Sequence, residues 1–319
     1  MAEKANHHFI PQFYLRNFGD GGDPRKAKVF VYDKSTNKTF RTTVRNVGSK
    51  RHFNRVDVEG HDPNSIEDAF AEMEGKISRD ISDVIAARSF PSDDHYSSVI
   101  NLIAWISLRN PRMRANLEDF HRRIAEGVMG QVLSTKERYE AIGRQMREAG
   151  QEVKDVSYEE VRRFYESKEY DIEIDQTHLI GLELRTLDTI LEPLAYRKWT
   201  FVNAMPGEQF ITSDEPTALI FSRNELYRPL ISPGHGLRET LLVFPLSPEV
   251  AIIGAFEDNL DLPGLKFDTT TWVNSIIMWF ADRQIYARDG SFRVHAGAHL
   301  NLKGEDLPLR LAAKKTSKT

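Results

Sequence analysis

Apolar residues recur every three or four positions over most of the first 195 residues, which is the pattern of helices that bury one face. The pattern predicts helices over residues 11–18, 66–87, 92–109, 176–195 and 269–283. Residues 112–172 are also helical in pattern but strongly charged, and they are predicted to form a peripheral arm or insertion. The helix that ends near Arg109 is apolar almost all round, so we expect it at the centre of the fold.

Alternating apolar and β-branched residues predict the strands. Residues 28–32 and 39–44 flank a polar turn and predict a hairpin. Short strands are predicted at 199–204, 209–212, 218–221, 240–244, 250–254 and 285–287. We expect these to form one mostly antiparallel sheet, which the hairpin could join. The chain is therefore predicted to be a single α+β domain over residues 1–319, with a helical middle and a C-terminal sheet.

Composition describes an ordinary globular protein. Among 319 residues, 40% are hydrophobic and 28% are charged, and no apolar run approaches the roughly 20 residues of a membrane span. The first residues lack the pattern of a signal peptide, so a cytoplasmic location and no membrane partner are predicted. There is no cysteine. Any metal site would have to use His, Asp or Glu.

Charge is unevenly distributed along the chain. Residues 1–60 carry twelve Lys or Arg against six Asp or Glu, so this segment is +6 and the remainder is −10. A basic module that includes the loop 45–55 is typical of contact with the phosphates of a nucleic acid. The alternative is a solvated hairpin face. The charged residues 112–172 are either a solvated helical surface or a surface for self-association.

The richest chemistry lies in the string His-His-Phe-Ile-Pro-Gln-Phe-Tyr-Leu-Arg at residues 7–16. In a short helix from Pro11, the side chains of Tyr14, Leu15 and Phe18 share one face, which we expect to be buried. The remaining polar groups could converge on an anion or a metal: His7, His8, Gln12 and Arg16. The alternative is that both histidines are ordinary surface residues.

A second candidate cluster lies at Ser213-Asp214, in a loop that Pro216 ends. Loops at strand ends often hold reactive groups on a rigid scaffold, although this sequence is also good turn chemistry. Arg109 follows a buried helix and could bind an anion, while a cation at a helix C-terminus also has a purely structural explanation.

The opening string resembles the start of a mainly bacterial family catalogued as domain of unknown function 4238. The resemblance continues at residues 29–34, 109–111, 210–216, Asn274 and 281–283. It implies a common fold and a set of candidate residues, but it implies no reaction.

Together the candidates supply the groups needed for phosphodiester cleavage. We expect His7, His8 and Asp214 to be catalytic and to lie together in one pocket. Gln12, Arg16, Arg109 and Ser213 would bind the substrate, and His8 with Asp214 could hold Mg²⁺ or Mn²⁺. The first hypothesis is thus a nuclease of toxin or defence type.

Two comparisons limit the nuclease hypothesis. His-His-x-x-Pro is superficially similar to the first part of His-Asn-His endonucleases, but the next histidine, His52, is distant in sequence and lacks the expected following helix. Phosphate loops, dinucleotide fingerprints and esterase elbows are missing from the sequence. The rival hypothesis is a binding or sensor module without catalysis, in which the opening motif is structural and the charged arm contacts a partner protein.

Overall fold

The computed structural model describes residues 6–21, 23, 26–222, 233–257, 268–295 and 301–308. Within these ranges the protein has the predicted α+β class. The helices are α1 (Gln12–Arg16), α2 (Ser65–Ala87), α3 (Asp93–Leu108), α4 (Pro111–Val132), α5 (Lys136–Glu148), α6 (Tyr158–Ser167), α7 (Gln176–Ala195) and α8 (Thr269–Phe280). None of them combines the length and apolar character that a membrane-spanning helix requires.

The strands of the described ranges are mostly short. They are β1 (Asn6–His8), β2 (Lys28–Asp33), β3 (Lys38–Thr43), β4 (Ser49–Arg51), β5 (Lys198–Asn203), β6 (Thr212–Ser213), β7 (Ala218–Phe221), β8 (Thr240–Pro245), β9 (Val250–Ala255), β10 (Gln284–Ala287), β11 (Arg293–His295) and β12 (Asn301–Lys303).

The strands within the described residues form two four-stranded sheets and two strand pairs, all of them antiparallel. One sheet has the order β5-β9-β8-β7 and the other has the order β3-β2-β10-β6. The predicted C-terminal antiparallel sheet is thus present as β5-β9-β8-β7, but β6 and β10 are not part of it. The predicted hairpin of β2 and β3 instead takes up β10 and β6. Local alternation identifies a strand but carries no information about which distant strand pairs with it.

Helix α3 lies in the core as predicted, with its residues buried from Ser98 to Leu108 except Asn101. It ends before proline, and the next helix starts at once. The Asn110 side chain accepts a hydrogen bond from the Met113 amide (2.8 Å), and Pro111 occupies the first helical position of α4. Both features are favourable at a helix N-terminus.

The opening motif is anchored from two sides. Tyr14, Leu15 and Phe18 are fully buried, as the spacing predicted. The Tyr14 hydroxyl donates to the Pro245 carbonyl (2.8 Å) and lies 2.7 Å from the Thr212 hydroxyl, so α1 is attached to both large sheets. Gly48, with φ of +62°, turns the chain so that its carbonyl accepts the Phe9 amide (2.9 Å). This turn places β4 beside β1.

Candidate functional site

The two histidines of the opening motif lie on β1, which pairs with β4 in the register His7↔Lys50 and His8↔Ser49. His7 is fully buried, and its Nδ1 accepts a hydrogen bond from the Asn54 amide (2.9 Å). A backbone N–H can only donate, so Nδ1 of neutral His7 is the acceptor and Nε2 carries the proton. The ring centroid of His52 lies 6.2 Å from that of His7. His7 and His52 are therefore neighbours in the structure although they are 45 residues apart in the sequence.

His8 is partly buried on the other face of β1. Its Nε2 is 3.3 Å from the Arg45 carbonyl and therefore acts as the donor, while Nδ1 lies 3.4 Å from the Gln12 amide nitrogen. Burial lowers the pKa of His8, and the repulsion of Arg16 acts in the same direction. At neutral pH this environment favours a neutral imidazole whose Nδ1 accepts from the Gln12 amide.

Arg109 follows α3 and points back to the histidines. Its guanidinium donates to the His8 carbonyl (3.0 Å) and stacks over the Phe70 ring, 3.4 Å from the centroid. Only 5% of its surface is exposed, and Nε has no hydrogen-bond partner among the described residues. Burial lowers the pKa of Arg109 to about 10, which still leaves it charged at neutral pH. It is therefore a buried cation beside the opening motif.

Two carboxylates on α2 face this cation. Glu67, Phe70 and Glu74 follow the spacing of three and four that brings side chains to one face of a helix. Glu67 accepts a hydrogen bond from the Asn54 side chain (2.6 Å). Burial raises the pKa of Glu74 to about 7, with attraction to Arg109 opposing and repulsion by Glu67 reinforcing the shift. Glu74 is thus a carboxyl group that titrates near neutral pH.

An open cleft lies along α1 and α2. It has a volume of about 320 Å³ and is lined by residues of α1 and α2, among them Phe13, Arg16, Arg79, Ser78 and Ser82. Ser78 and Ser82 lie one and two helical turns beyond Glu74 on the same face of α2. Arg16 lines the cleft and interacts electrostatically with both His8 and Glu74. Arg16 therefore connects the cleft with the buried charges, although His8, Glu74 and Arg109 do not themselves line it.

A buried ion pair fixes the turn at residues 52–54, which contacts His7 and Glu67. Arg114 of α4 donates two hydrogen bonds of 2.6 Å to the Glu183 carboxylate of α7. Its guanidinium also donates to the Phe53 carbonyl and lies 3.7 Å from the centroid of the Phe53 ring. The turn that holds His52 and Asn54 is thereby fixed to two helices.

Asp214 and Ser213 have different surroundings. The Asp214 carboxylate accepts hydrogen bonds from the backbone amides of Asp282 (3.0 Å), Arg283 (2.8 Å) and Gln284 (2.8 Å). Burial raises the pKa of Asp214 to about 6, against the opposing effect of these amides. Ser213 is fully buried in β6, and its hydroxyl accepts the Glu215 amide (3.1 Å). Both side chains therefore stabilise turns.

Three segments of the family resemblance meet at this turn. Arg283 donates to Asp33 (2.8 Å), at the end of the segment 29–34, and its own amide is held by Asp214. Gln284 also donates to Asp33 (3.0 Å). The segments 29–34, 210–216 and 281–283 thus form one structural unit that joins β2, β6 and β10.

The structure accordingly divides the predicted site residues into two groups. His7, His8, Gln12, Arg16 and Arg109 are brought together around the opening motif, whereas the contacts of Ser213 and Asp214 belong to the turn near β10. The described residues contain no group of three or more His, Asp or Glu placed to hold a metal. The assignment of His8 and Asp214 as metal ligands stays a prediction, and it would require Asp214 to exchange its amide partners for the ion.

Sequence reasoning missed the carboxylates of the cluster. Glu67, Glu74 and Glu183 were not among the candidates that the sequence analysis selected. The signal was present, because Glu67 and Glu74 occupy the same stripe as the apolar Phe70, Ile77 and Ile81. A charged residue within the buried stripe of an amphipathic helix indicates a buried partner or a functional role.

Comparison with known proteins identifies a family. Residues 6–291 match the family model described as Protein of unknown function (DUF4238). Neither the curated proteins nor the solved structures give a match. The matched range includes the opening motif, the cluster around Arg109 and the turn held by Asp214. The chain therefore belongs to the DUF4238 family, as its opening motif predicted.

Proposed function

We propose that this protein is a hydrolase of nucleic-acid phosphodiesters whose active site is formed by His8, Glu74, Arg16 and Arg109. This proposal replaces Asp214 with Glu74 as the catalytic carboxyl group, because Asp214 is occupied by backbone amides. The proposal rests above all on Glu74, a partly buried carboxyl group whose pKa is raised to about 7 and which interacts with Arg16 in the wall of the cleft. Acid and base catalysts work best when their pKa lies near the working pH.

Two further features support a phosphate-bearing substrate. Arg16 and Arg79 both line the cleft, and Arg109 provides a third, buried cation that contacts the His8 carbonyl. Guanidinium groups bind phosphate oxygens through paired hydrogen bonds and stabilise the charge that develops during phosphoryl transfer. Residues 1–60 are basic as well, which favours a polyanionic substrate.

The proposed reaction uses the two groups in opposite roles. Neutral His8 takes a proton from a water molecule, whose oxygen forms a bond to phosphorus. The bond from phosphorus to the leaving oxygen breaks, and protonated Glu74 donates its proton to that oxygen. Arg16 and Arg109 stabilise the additional negative charge on the phosphoryl oxygens.

The test is cleavage of short fluorescent single-stranded RNA, single-stranded DNA and duplex DNA, each with EDTA, Mg²⁺ or Mn²⁺. Wild-type protein should cleave at least one substrate, and Glu74→Gln and His8→Gln should each reduce the rate by about 10²–10⁴-fold. The rate should fall as the pH rises above about 7, because Glu74 then loses the proton that it donates. The Glu74→Gln variant should lack this pH dependence.

A matched control is available on the same helix. Glu72 is exposed and forms an i,i+4 ion pair with Lys76 (2.8 Å), so Glu72→Gln should leave cleavage unchanged. Failure of the wild type to cleave any of the substrates, or full activity of folded Glu74→Gln, would overturn the proposal.

The binding-module hypothesis remains the second candidate, and two observations favour it. His8 contacts the backbone carbonyl of Arg45, as a structural histidine would, and the charged arm exposes large apolar side chains. If this hypothesis is correct, His8→Gln lowers the melting temperature and no cleavage is found. Measuring melting and cleavage on the same variant therefore separates the two candidates.

A further inference from the structure

The arm formed by α4, α5 and α6 has almost no hydrophobic core of its own. Neither α5 nor α6 contains a buried residue, and α4 buries only Arg114, near its start. The helices are nevertheless well formed locally, since the Asn110, Thr135 and Ser157 side chains each cap a helix N-terminus. The arm is thus a defined structure whose apolar side chains remain on its surface.

One face of α4 is an exposed apolar ridge. Phe120 is 58% exposed, Ile124 is 47% exposed and Val128 is 54% exposed, and they follow each other at intervals of four residues. Large side chains at this spacing form a continuous row along a helix. Contiguous exposed apolar surface of this kind marks an interaction site in a soluble protein.

An apolar groove lies beside the ridge. It has a volume of about 760 Å³ between α4, α5 and the start of α6, and Val128, Met129, Ile142 and Met146 belong to its lining. Val128 is part of both ridge and groove, so the two features share one surface. The 22 residues of α4 span about 33 Å, which gives this surface the length of a small protein interface.

The charges around the groove indicate its occupant. Three of the lining residues are basic and three are acidic: Lys136, Arg144, Arg147, Glu140, Asp155 and Glu159. A groove for a nucleic acid or a strongly charged peptide would carry mainly one sign. A balanced rim is instead complementary to itself, which is what a two-fold interface between identical chains requires.

We infer that the arm binds a second copy of this chain, with the ridge of each copy in the groove of the other. A two-fold axis forms both contacts at once because ridge and groove are adjacent on the same helix. The contact buries Phe120 and Ile124. Lys136 and Glu159 already pair within each arm (3.0 Å), so Arg144 and Arg147 of one copy remain for Glu140 and Asp155 of the other. It is independent of the proposed catalytic site, whose residues lie on β1, α1, α2 and the end of α3.

Sedimentation equilibrium of the full chain tests this inference. Wild-type protein should be dimeric at a concentration of about 100 μM. Ile124→Glu should weaken association by at least about 100-fold, because it places a charge in the apolar contact. Ala115→Glu is the matched control, since Ala115 is exposed on the opposite face of α4, and it should remain dimeric. Circular dichroism establishes that both variants are folded.

Disulfide trapping tests the geometry directly, because the chain contains no native cysteine. Phe120→Cys and Met146→Cys proteins with different tags should form a mixed disulfide under mild oxidation. Phe120→Cys mixed with Ala115→Cys should not. A monomeric wild type, a dimer that Ile124→Glu leaves intact, or equal trapping in both mixtures would overturn the inference. A small molecule retained in the groove of a monomeric wild type, seen by native mass spectrometry, would identify a different occupant.

Discussion

Replacing Glu74 by glutamine should stabilise the protein at alkaline pH while it removes activity. The folded pKa of this carboxyl group is about 7 instead of 4.5, because burial disfavours its charged form. A raised carboxyl pKa means that the folded state binds the proton more tightly than the unfolded state, so stability falls as the pH rises from about 4.5 through 7. Glutamine cannot ionise, so the variant does not lose stability as the pH rises.

The magnitude follows from the shift. At 1.36 kcal/mol per pKa unit a fully buried group would lose about 3.4 kcal/mol, and solvent screening of the partly exposed Glu74 reduces this to roughly 1–2 kcal/mol. Nearly all of the effect should be present at pH 8 and almost none at pH 4.

Urea denaturation of wild type and Glu74→Gln at several pH values measures this difference directly. The difference in the free energy of unfolding should increase from pH 4 to pH 8 in favour of the variant. Glu72→Gln, on the exposed side of α2, should stay close to wild type at every pH. A Glu74→Gln variant that is less stable than wild type at pH 8 would refute the reasoning, since the carboxylate would then be held by a favourable ion pair with Arg109.

Two further substitutions, the second with a matched control, test the structural assignments. Asp214→Ala leaves three backbone amides without their acceptor and should lower the free energy of unfolding in urea by roughly 2–4 kcal/mol. Activity per folded molecule should not change. A loss of activity without a loss of stability would restore Asp214 to the active site. Glu183→Ala leaves the buried Arg114 unpaired and should lower the free energy of unfolding by about 3–5 kcal/mol. As its control, Glu166→Ala breaks the exposed pair with Arg162 and should have a much smaller effect. Equal effects of the two substitutions would contradict the assigned burial.

The local parts of the fold could be predicted from the sequence. The spacing of Tyr14, Leu15 and Phe18 identified a buried helical face, and the Arg109-Asn110-Pro111 string identified the boundary between α3 and α4. Both depend on residues that are neighbours in the chain. The division of the strands into two sheets depends on β10 lying between β2 and β6, and no local pattern encodes that choice.

The candidate site was predicted in part for the same reason. His8, Gln12 and Arg16 are close together in sequence, and the structure keeps them together. Glu74 approaches these residues only because α2 packs beside the opening motif, so the sequence alone did not identify it as part of the site. Asp214 looked reactive because it follows a strand in a polar loop, yet the backbone amides of residues 282–284, between α8 and β10, use it as an acceptor.

The placement of β10 between β2 and β6 sets the order in which the protein can form during synthesis. Asp33 and Gln284 are 251 positions apart in the chain, although their side chains are bonded. At about 5–20 residues per second, the hairpin of β2 and β3 waits roughly 10–50 s before its partner leaves the ribosome. During that interval one edge of β2 is open to pairing with other chains. Fragments that stop before β10 should therefore aggregate, even though they contain every residue of the proposed active site.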